Sequence, residues 1–420
     1  MKTINPHLRT TAVSAIALAF IGAFGTHAFA ADPVTITYAY WDTTVTPAFQ
    51  AAADEFQKDN PNITVELRTV PFSDYFTKLN TQLPSGTAPD AFWLQNIQFP
   101  LYQQNGVLAD LTPFKDASSI DLSGIDANLM NPYVVDGKLF AIPWQSLPFG
   151  LYYNKAMFDK AGVAVPTNDW TWADVEKAAA ALTNKEEGTF GILAPIWNYG
   201  AYYQTMYGYG AKVITNGGKD TDFDSPEAVQ GISVWTNFIQ KGYSPSVTQL
   251  ADGDFTQWFS SGKAAMFTTG SWGVQGFQKT LGDAVKVVEM PLGTVDTTAY
   301  ATTTSAVAAT SQHIPEAYKW AEFLSSEKGQ LILNSNSAGG TGAPVNAKAN
   351  DAWIATAPGV GLENLLAELP RATLLPATKN TLAWESALTE TLSPAYEGTI
   401  PVQEAASQMA QIIRDKLALE

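Results

Sequence analysis

Aromatic side chains stand beside carboxyl or amide side chains where predicted strands end. Trp41 and Asp42 follow the first predicted strand, Gln95 and Asn96 close the third, and Trp272 lies between glycines after a later one. Sugar recognition needs both kinds of group, because an aromatic face covers the apolar C–H face of a pyranose and planar polar groups pair with its hydroxyls. Since open α/β sheets bind ligands at the carboxyl ends of their strands, we predict that these five side chains contact a ligand.

A second set of candidates combines the same residue types, and each member has a simpler structural interpretation. Packing competes for the Trp and Tyr residues, β-propensity alone explains the threonines, and a surface position explains the arginine. The arginine is a lone cation in a weakly charged stretch, where it could form hydrogen bonds to a pair of hydroxyls or bind an acidic sugar. These candidates are Trp144, Gln145, Trp197, Asn198, Tyr199, Thr302, Thr304 and Arg371.

The composition argues against several kinds of site and partner. The chain has no cysteine, three histidines and a formal net charge of −16. Two of the histidines, His7 and His27, lie in the N-terminal segment, so a His-rich zinc site or a Cys/His cluster cannot form. An acidic chain repels nucleic acid and anionic lipid surfaces. We therefore expect no metal, no other cofactor and no nucleic-acid partner.

The N-terminal segment has the three features of a secretory signal peptide. Lys2 and Arg9 supply positive charge, a short apolar stretch runs from Ala12 to Phe24, and Ala28-Phe-Ala30 is a small-x-small cleavage site. The apolar stretch is shorter than the roughly 18 residues that a membrane span needs, and we find no other candidate span. We predict cleavage after Ala30 and a periplasmic protein that does not insert into the membrane.

Strand and helix patterns alternate in the first hundred residues. Val34 to Tyr40 alternates β-branched and aromatic residues, Ile63 to Leu67 and Asp90 to Leu94 form two further strands, and amphipathic helices lie between them. This β-α-β-α-β order predicts an α/β fold with a sheet flanked by helices. The strongly periodic tail from Val402 to Leu417 predicts a final helix.

Several short motifs follow one another along most of the chain. They are Trp41-Asp42, Phe56-Gln-Lys-Asp-Asn-Pro61, Pro89-Asp-Ala-Phe-Trp93, Leu151-Tyr-Tyr-Asn-Lys155, Ser260-Ser-Gly-Lys-Ala-Ala-Met266, Gly270-Ser-Trp272 and Ala317-Tyr-Lys-Trp-Ala-Glu-Phe-Leu324. In kind and order they resemble those of the extracellular solute-binding proteins of ABC transporters, in the class related to maltose-binding protein. One departure is Tyr300-Ala-Thr-Thr-Thr-Ser305, where members often carry a Gly-Gly pair and an apolar strand; it concerns the ligand group read there and leaves the fold intact.

The resemblance implies a class II periplasmic binding-protein fold, in which two α/β lobes hold the ligand in the cleft between them. The chain then crosses between lobes near 144–150, 298–305 and 338–344, which places Trp144, Gln145 and Gly340 at the cleft. The implied lobes are residues 31–143 with 303–340, and residues 144–302 with 341–420.

The resemblance also implies a function. The protein would be the periplasmic solute-binding component of an ABC importer, a monomer without catalytic activity. It would capture a mono-, di- or oligosaccharide by hinge closure and deliver it to a membrane permease.

Two alternatives stay open at this level. The same fold could hold a polyamine or another non-sugar solute, since polyamine sites also combine acids with aromatic rings. A secreted glycoside hydrolase would need two carboxyl groups at a fixed separation across a cleft. Asp42 and Asp90 are available acids, but no motif specifies such a pair.

Overall fold

The computed structural model describes residues 32–118, 120–251, 255–336 and 342–420. The predicted signal peptide and Gly340 lie outside these ranges. None of the described helices combines the length and apolar character that crossing a bilayer requires.

Strands and helices alternate along the described chain. The strands are β1 (Val34–Tyr40), β2 (Ile63–Thr69), β3 (Ala91–Gln95), β4 (Val134–Val135), β5 (Lys138–Leu139), β6 (Ala141–Asn154), β7 (Phe190–Ile192), β8 (Ala264–Gly270), β9 (Val285–Val288), β10 (Thr298–Val307), β11 (Ala343–Pro344) and β12 (Ala372–Leu374). The helices up to residue 208 are α1 (Thr46–Asp59), α2 (Phe72–Ser85), α3 (Phe99–Gln104), α4 (Thr112–Ala117), α5 (Ala127–Met130), α6 (Lys155–Ala161), α7 (Trp172–Leu182) and α8 (Tyr203–Gly208). The later helices are α9 (Pro226–Gln240), α10 (Val247–Leu250), α11 (Phe255–Ser260), α12 (Val274–Leu281), α13 (Ile314–Ser325), α14 (Glu327–Asn336), α15 (Asn350–Ile354), α16 (Leu362–Glu368), α17 (Thr381–Glu385), α18 (Leu388–Tyr396) and α19 (Val402–Leu417).

Local sequence signals explain where several of these elements begin. Ser225 caps α9 by accepting a hydrogen bond from the N–H of Ala228, with Pro226 at the first helical position. Thr171 and Asp174 form a reciprocal capping box at the start of α7. The predicted first strand and final helix are both observed, which confirms the mixed α/β class.

Ten strands form one continuous sheet within the described chain, in the order β2-β1-β3-β10-β6-β8-β7, with β9 and β11 also paired to β6 and β12 to β10. The strand β6 joins the two ends of this sheet. Its residues Ala141 to Pro148 pair antiparallel with β10, and Phe149 to Asn154 pair with β8 or β9. Residues Ala141 to Asn154 form one strand because pairing with β10 and β11 continues through its middle, from Gln145 to Pro148.

The buried side chains form separate clusters on the two sides of this junction. The N-terminal cluster, defined by buried residues within 36–144 and 306–333, packs α1, α2 and α13 against β1 and β3. Two adjoining clusters of buried residues within 147–301 and 343–417, together called the C-terminal cluster, surround the second half of β6. Because both clusters meet at β6 and β10, residues on these strands lie at the border between two cores.

Candidate functional site

A cavity of about 420 Å³ opens beside β6 and β10. Its wall includes Trp41 and Trp93, which belong to or pack against the N-terminal cluster, and Phe149 and Trp197, which do the same for the C-terminal cluster. Its volume is within the range of small-molecule sites, which run from about 300 to 1,000 Å³. The cavity therefore lies where both halves of the protein can contact one ligand.

Half of the predicted site residues line this cavity. The sequence placed them at strand ends, at a lobe crossing or in the stretch from Trp197 to Tyr199. They lie far apart in the chain, and the fold brings them together around one cavity. They are Trp41, Asp42, Gln95, Gln145, Trp197, Tyr199 and Trp272. Their contact with a ligand stays a prediction.

Three aromatic rings form the C-terminal side of the cavity. The ring of Phe149 lies 5.6 Å from that of Trp272 at an interplanar angle of 87°, and the two indoles of Trp197 and Trp272 lie 6.4 Å apart. Trp272 is 37% exposed, so part of its side chain remains accessible to a ligand. Its ring lies over Gly270, where an added Cβ would come within 1.9 Å of a ring carbon. Gly270 is therefore required for this ring position.

A second group of rings forms the N-terminal side. Trp41 contacts Trp93 edge to face, with centroids 4.7 Å apart, and its ring lies 5.6 Å from that of Phe72. Phe72 opens α2 and is 54% exposed. Edge-to-face packing fixes these rings against one another while leaving surface for a ligand.

Polar groups between the two aromatic sides are few and held in place. The buried amide of Gln145 donates through Nε2 to Thr303 Oγ1 at 3.0 Å and accepts through Oε1 from the N–H of Gly342 at 2.7 Å. Gln145 and Thr303 therefore join β6 to β10 at the cavity, and Gln145 also holds the segment that enters β11. Gln95, partly exposed, adds a second amide.

Asp42 is the one acid among the residues that line the cavity. Its Oδ1 accepts hydrogen bonds from the N–H of Thr44 at 2.8 Å and from Thr44 Oγ1 at 2.7 Å. This carboxylate caps the turn that follows β1, and its second oxygen is left for other donors.

Tyr199 is held from behind by a partly buried carboxylate. Its hydroxyl donates to Glu385 Oε2 at 2.5 Å, and Asn198 Nδ2 donates to Glu385 Oε1 at 2.9 Å. Burial raises the pKa of Glu385 to about 7. Asn198 thus binds Glu385 and does not line the cavity, so its contact with a ligand stays a prediction.

The predicted threonines on β10 point away from the cavity. Thr302 is fully buried and shares a hydrogen bond with the hydroxyl of Tyr133, and Thr304 donates to the carbonyl of Leu94 at 2.9 Å. Their neighbours Ala301 and Thr303 line the cavity instead. Side chains alternate between the faces of a strand, so Thr302 and Thr304 lie on the face opposite to Ala301 and Thr303, and their contact with a ligand stays a prediction.

Trp144 and Asn96 are structural residues. Trp144 is 1% exposed and packs in the N-terminal cluster, 4.8 Å from the ring of Trp93. Asn96 accepts from the N–H of Thr302 at 3.1 Å and donates to the carbonyl of Leu375 at 2.8 Å. Neither side chain lines the cavity, because one turns into the core and the other into the strand junction, and their contact with a ligand stays a prediction.

Arg371 lies in an ion-pair network outside the cavity. It pairs through Nη2 with Glu368 at 2.7 Å and Glu289 at 3.3 Å, and through Nη1 with Asp296. Arg371 is paired with three acids and is not among the residues that line the cavity, so its predicted contact with a ligand stays a prediction. Burial raises the pKa of Glu368 to about 7 despite the arginine.

Several lining residues were not predicted. Phe72, Trp93, Phe149 and Thr303 are the ones with a ring or hydroxyl to offer. Trp93 and Phe149 sit in apolar strands that give no sign of reaching a cavity. Side chains alternate between the two faces of β10, and this alternation was the one signal that could have pointed to Thr303. The exposure of Phe72 is visible only in the folded structure.

The chain belongs to the bacterial extracellular solute-binding protein family, whose model matches residues 40–331. This membership implies a periplasmic or extracellular location. The family consists of binding proteins. The solved structure of an ABC substrate-binding protein from Listeria monocytogenes in complex with cycloalternan is similar, with 28% identity and a TM-score of 0.84, over 92% of this chain and 100% of that one. The two-lobed periplasmic binding-protein fold is thereby confirmed.

Curated relatives match over shorter stretches. A binding protein of Brucella abortus is 26% identical over 57% of this chain and 58% of its own length. The multiple sugar-binding protein of Streptococcus mutans is 28% identical over 41% of this chain and 40% of its own. These alignments span between two fifths and three fifths of each relative.

Proposed function

We propose that this protein is the periplasmic solute-binding component of an ABC importer and that it captures a carbohydrate in the cavity between its two cores. The observation that carries the proposal is the pair of aromatic sides, Trp41 with Phe72 and Trp272 with Trp197, separated by the amides of Gln95 and Gln145. Aromatic faces and planar amides are the groups that a pyranose needs. The sugar named for the similar Listeria structure supports the same ligand class.

The mechanism follows from the position of the cavity. A ligand that touches both aromatic sides binds best when they are close, so it shifts the population toward a closed form. We propose lobes of residues 31–143 with 303–340 and 144–302 with 341–420, joined at β6, β10 and β11. The closed monomer would then dock on the membrane permease. Small-angle scattering tests the closure, since a bound sugar should reduce the radius of gyration.

The cavity supports binding over hydrolysis. A glycoside hydrolase uses two carboxyl groups about 5 to 10 Å apart across the bond it cleaves. Asp42 is the one lining acid, and Asp90 is engaged elsewhere: its Oδ2 accepts from Thr37 N and its Oδ1 from Ser311 Oγ. We therefore propose a protein without catalytic activity. A polyamine would find one acid at this site, which is a weak counter-charge for several ammonium groups.

A thermal-shift screen tests the ligand class. We expect glucose, maltose, maltotriose or cycloalternan to raise the melting temperature, because a ligand at about 100 times its Kd adds about 2.7 kcal/mol of stability. Spermidine is the competing probe. Stabilisation by spermidine and by no sugar would overturn the proposal. Intact mass of the protein from the periplasm tests cleavage after Ala30, and a chain that retains Met1 would contradict it.

A further inference from the structure

A partly buried carboxylate supports the aromatic wall of the cavity without lining the cavity. Glu385 is the last residue of α17, and both its oxygens accept hydrogen bonds from the segment that carries the wall, one from Asn198 and one from Tyr199. Tyr199 lines the cavity, and Glu385 does not. The carboxylate is therefore one contact removed from a bound ligand.

The segment that carries Trp197 and Tyr199, called the wall segment, has an uncommon backbone conformation. Residues Asn198–Tyr202 form a π-helical turn, and such turns are rare and occur often at functional sites. Trp197 precedes the turn and its ring packs over Gly200, where a Cβ would lie 2.1 Å from the ring. The two bonds to Glu385 hold the first two side chains of this turn.

Glu385 itself is firmly placed. Trp384, its neighbour on α17, is fully buried. At the other end of the helix, Asn380 donates through Nδ2 to the carbonyl of Lys416 on α19 at 2.9 Å. The position of the Glu385 carboxylate is thus fixed by the packing of α17, and its two hydrogen bonds can restrain the wall segment.

No cation offsets the charge of Glu385 among the described residues. The groups that act on it are Tyr199, Asn198 and Tyr203, and each of them donates or presents a neutral side chain. Burial raises the pKa values of Tyr202, in the π-helical turn, and of Tyr203, in α8. The negative charge of Glu385 raises both pKa values further. On the facing helix α19, Arg414 is committed to Asp220 and Asp224. Burial without a counter-ion is the reason why the pKa of Glu385 rises.

Building on the proposed function, we propose that Glu385 is a positioning residue of the ligand cavity: its carboxylate, bonded to both Tyr199 and Asn198, fixes Tyr199 in the orientation that the sugar meets, and its protonation loosens that orientation. The charged carboxylate accepts both hydrogen bonds at once. The neutral carboxyl carries a proton of its own, so one of the two donors loses its acceptor or must turn. Sugar affinity should then fall on acidification, with a midpoint set by this one group.

The test compares two glutamates. Glu385→Gln presents one acceptor and one donor group at all pH values and so mimics the protonated form. Glu368→Gln is the matched control, because burial raises the pKa of Glu368 to about 7 as well, but Glu368 binds Arg371 and the backbone outside the cavity. Tyr199→Phe, which keeps the ring and removes its hydroxyl, is the second variant in case Glu385→Gln does not fold.

The first measurement needs no sugar. Tryptophan fluorescence of the whole protein is recorded from about pH 5.5 to about pH 8.5, across the neutral range where the carboxyl titrates. We expect a transition near pH 7 in the wild type and in Glu368→Gln, since Trp197 lies beside the turn, and its loss in Glu385→Gln. A transition that survives in Glu385→Gln would overturn the proposal.

The second measurement is the Kd of the panel sugar that stabilises the protein most. We expect the wild type and Glu368→Gln to bind about fivefold more weakly at the acidic end than at the alkaline end, as the loss of part of a charged hydrogen bond predicts. Glu385→Gln should bind weakly and equally at both, and Tyr199→Phe should show a smaller pH effect. A pH-independent wild-type Kd would overturn the positioning role. If no sugar binds, the ligand class fails, and the fluorescence result alone decides the role of Glu385.

Discussion

Gln145 Nε2 donates to Thr303 Oγ1 over 3.0 Å, and this buried bond joins β6 to β10 at the cavity. The register of the two strands changes directly after Thr303, so the pair marks the last regular contact before an irregularity. The same amide accepts from the N–H of Gly342. One side chain therefore connects three chain segments that meet between the two cores.

Replacing Gln145 should cost both stability and binding. Gln145→Leu leaves the buried N–H of Gly342 without its acceptor, so we expect about 1 to 3 kcal/mol of lost unfolding free energy. Urea unfolding measures it. The matched control is Gln312→Leu at an exposed position, which should change stability by no more than about 0.5 kcal/mol. Equal stabilities of the two variants would show that the hydrogen bonds of Gln145 to Thr303 and Gly342 contribute nothing to the free energy of unfolding.

The two neighbouring threonines of β10 should behave differently. Thr303→Val removes a hydroxyl at the cavity, and we expect weaker sugar binding. Thr302→Val removes the partner of the Tyr133 hydroxyl on the opposite face, and we expect a loss of about 1 to 3 kcal/mol in stability with an unchanged Kd. Calorimetry and urea unfolding separate the two effects. The reverse pattern would mean that the register of β10 at the cavity is not as described.

A single methyl group should displace Trp272. In Gly270→Ala the new Cβ would meet the indole at 1.9 Å, so the ring must move and the stacking face is lost. We expect sugar affinity to fall about tenfold, the equivalent of about 1.4 kcal/mol. Gly276→Ala in α12 is the control, since nothing lies within 4 Å of its Cβ; there the helix should gain about 1 kcal/mol and binding should not change. Normal binding by Gly270→Ala would contradict a role for this ring.

Stability should fall as the pH rises from about 4.5 to about 7. Burial raises the pKa values of Glu368 and Glu385 from 4.5 to about 7, so in this window the folded protein keeps protons that the unfolded chain releases. The stabilising contribution of each group is complete below the pKa of the unfolded chain, about 4.5, and is lost as the pH rises through the pKa of the folded protein, about 7. For each group this contribution is at most about 3 kcal/mol. Urea unfolding across the window should show this decline, and the double variant Glu368→Gln/Glu385→Gln should flatten it. A wild type that gains stability over the same window would refute the assignment.

The fold was largely predictable and the site only in part, for reasons that individual residues show. The pattern of Val34–Tyr40 is local, as is that of Val402–Leu417, so the sequence marks both elements. Trp144 and Trp272 are the same residue type in similar contexts, yet one is 1% and the other 37% exposed. Burial depends on which strand passes alongside, and pairing between distant segments does not show in a local pattern. Glu385, far from every motif, could not have been linked to Tyr199 without the fold.

Calorimetric titration of the sugar panel into the wild type, Trp272→Ala and Trp258→Ala tests the central claim most directly. Trp258 is also partly exposed but lies outside the cavity, so its removal controls for the loss of a surface tryptophan. We predict that the wild type and Trp258→Ala bind the same sugar equally well and that Trp272→Ala binds it about tenfold more weakly, the equivalent of about 1.4 kcal/mol for the lost stacking contact and its buried area. Equal affinity in all three proteins would contradict a carbohydrate site in this cavity.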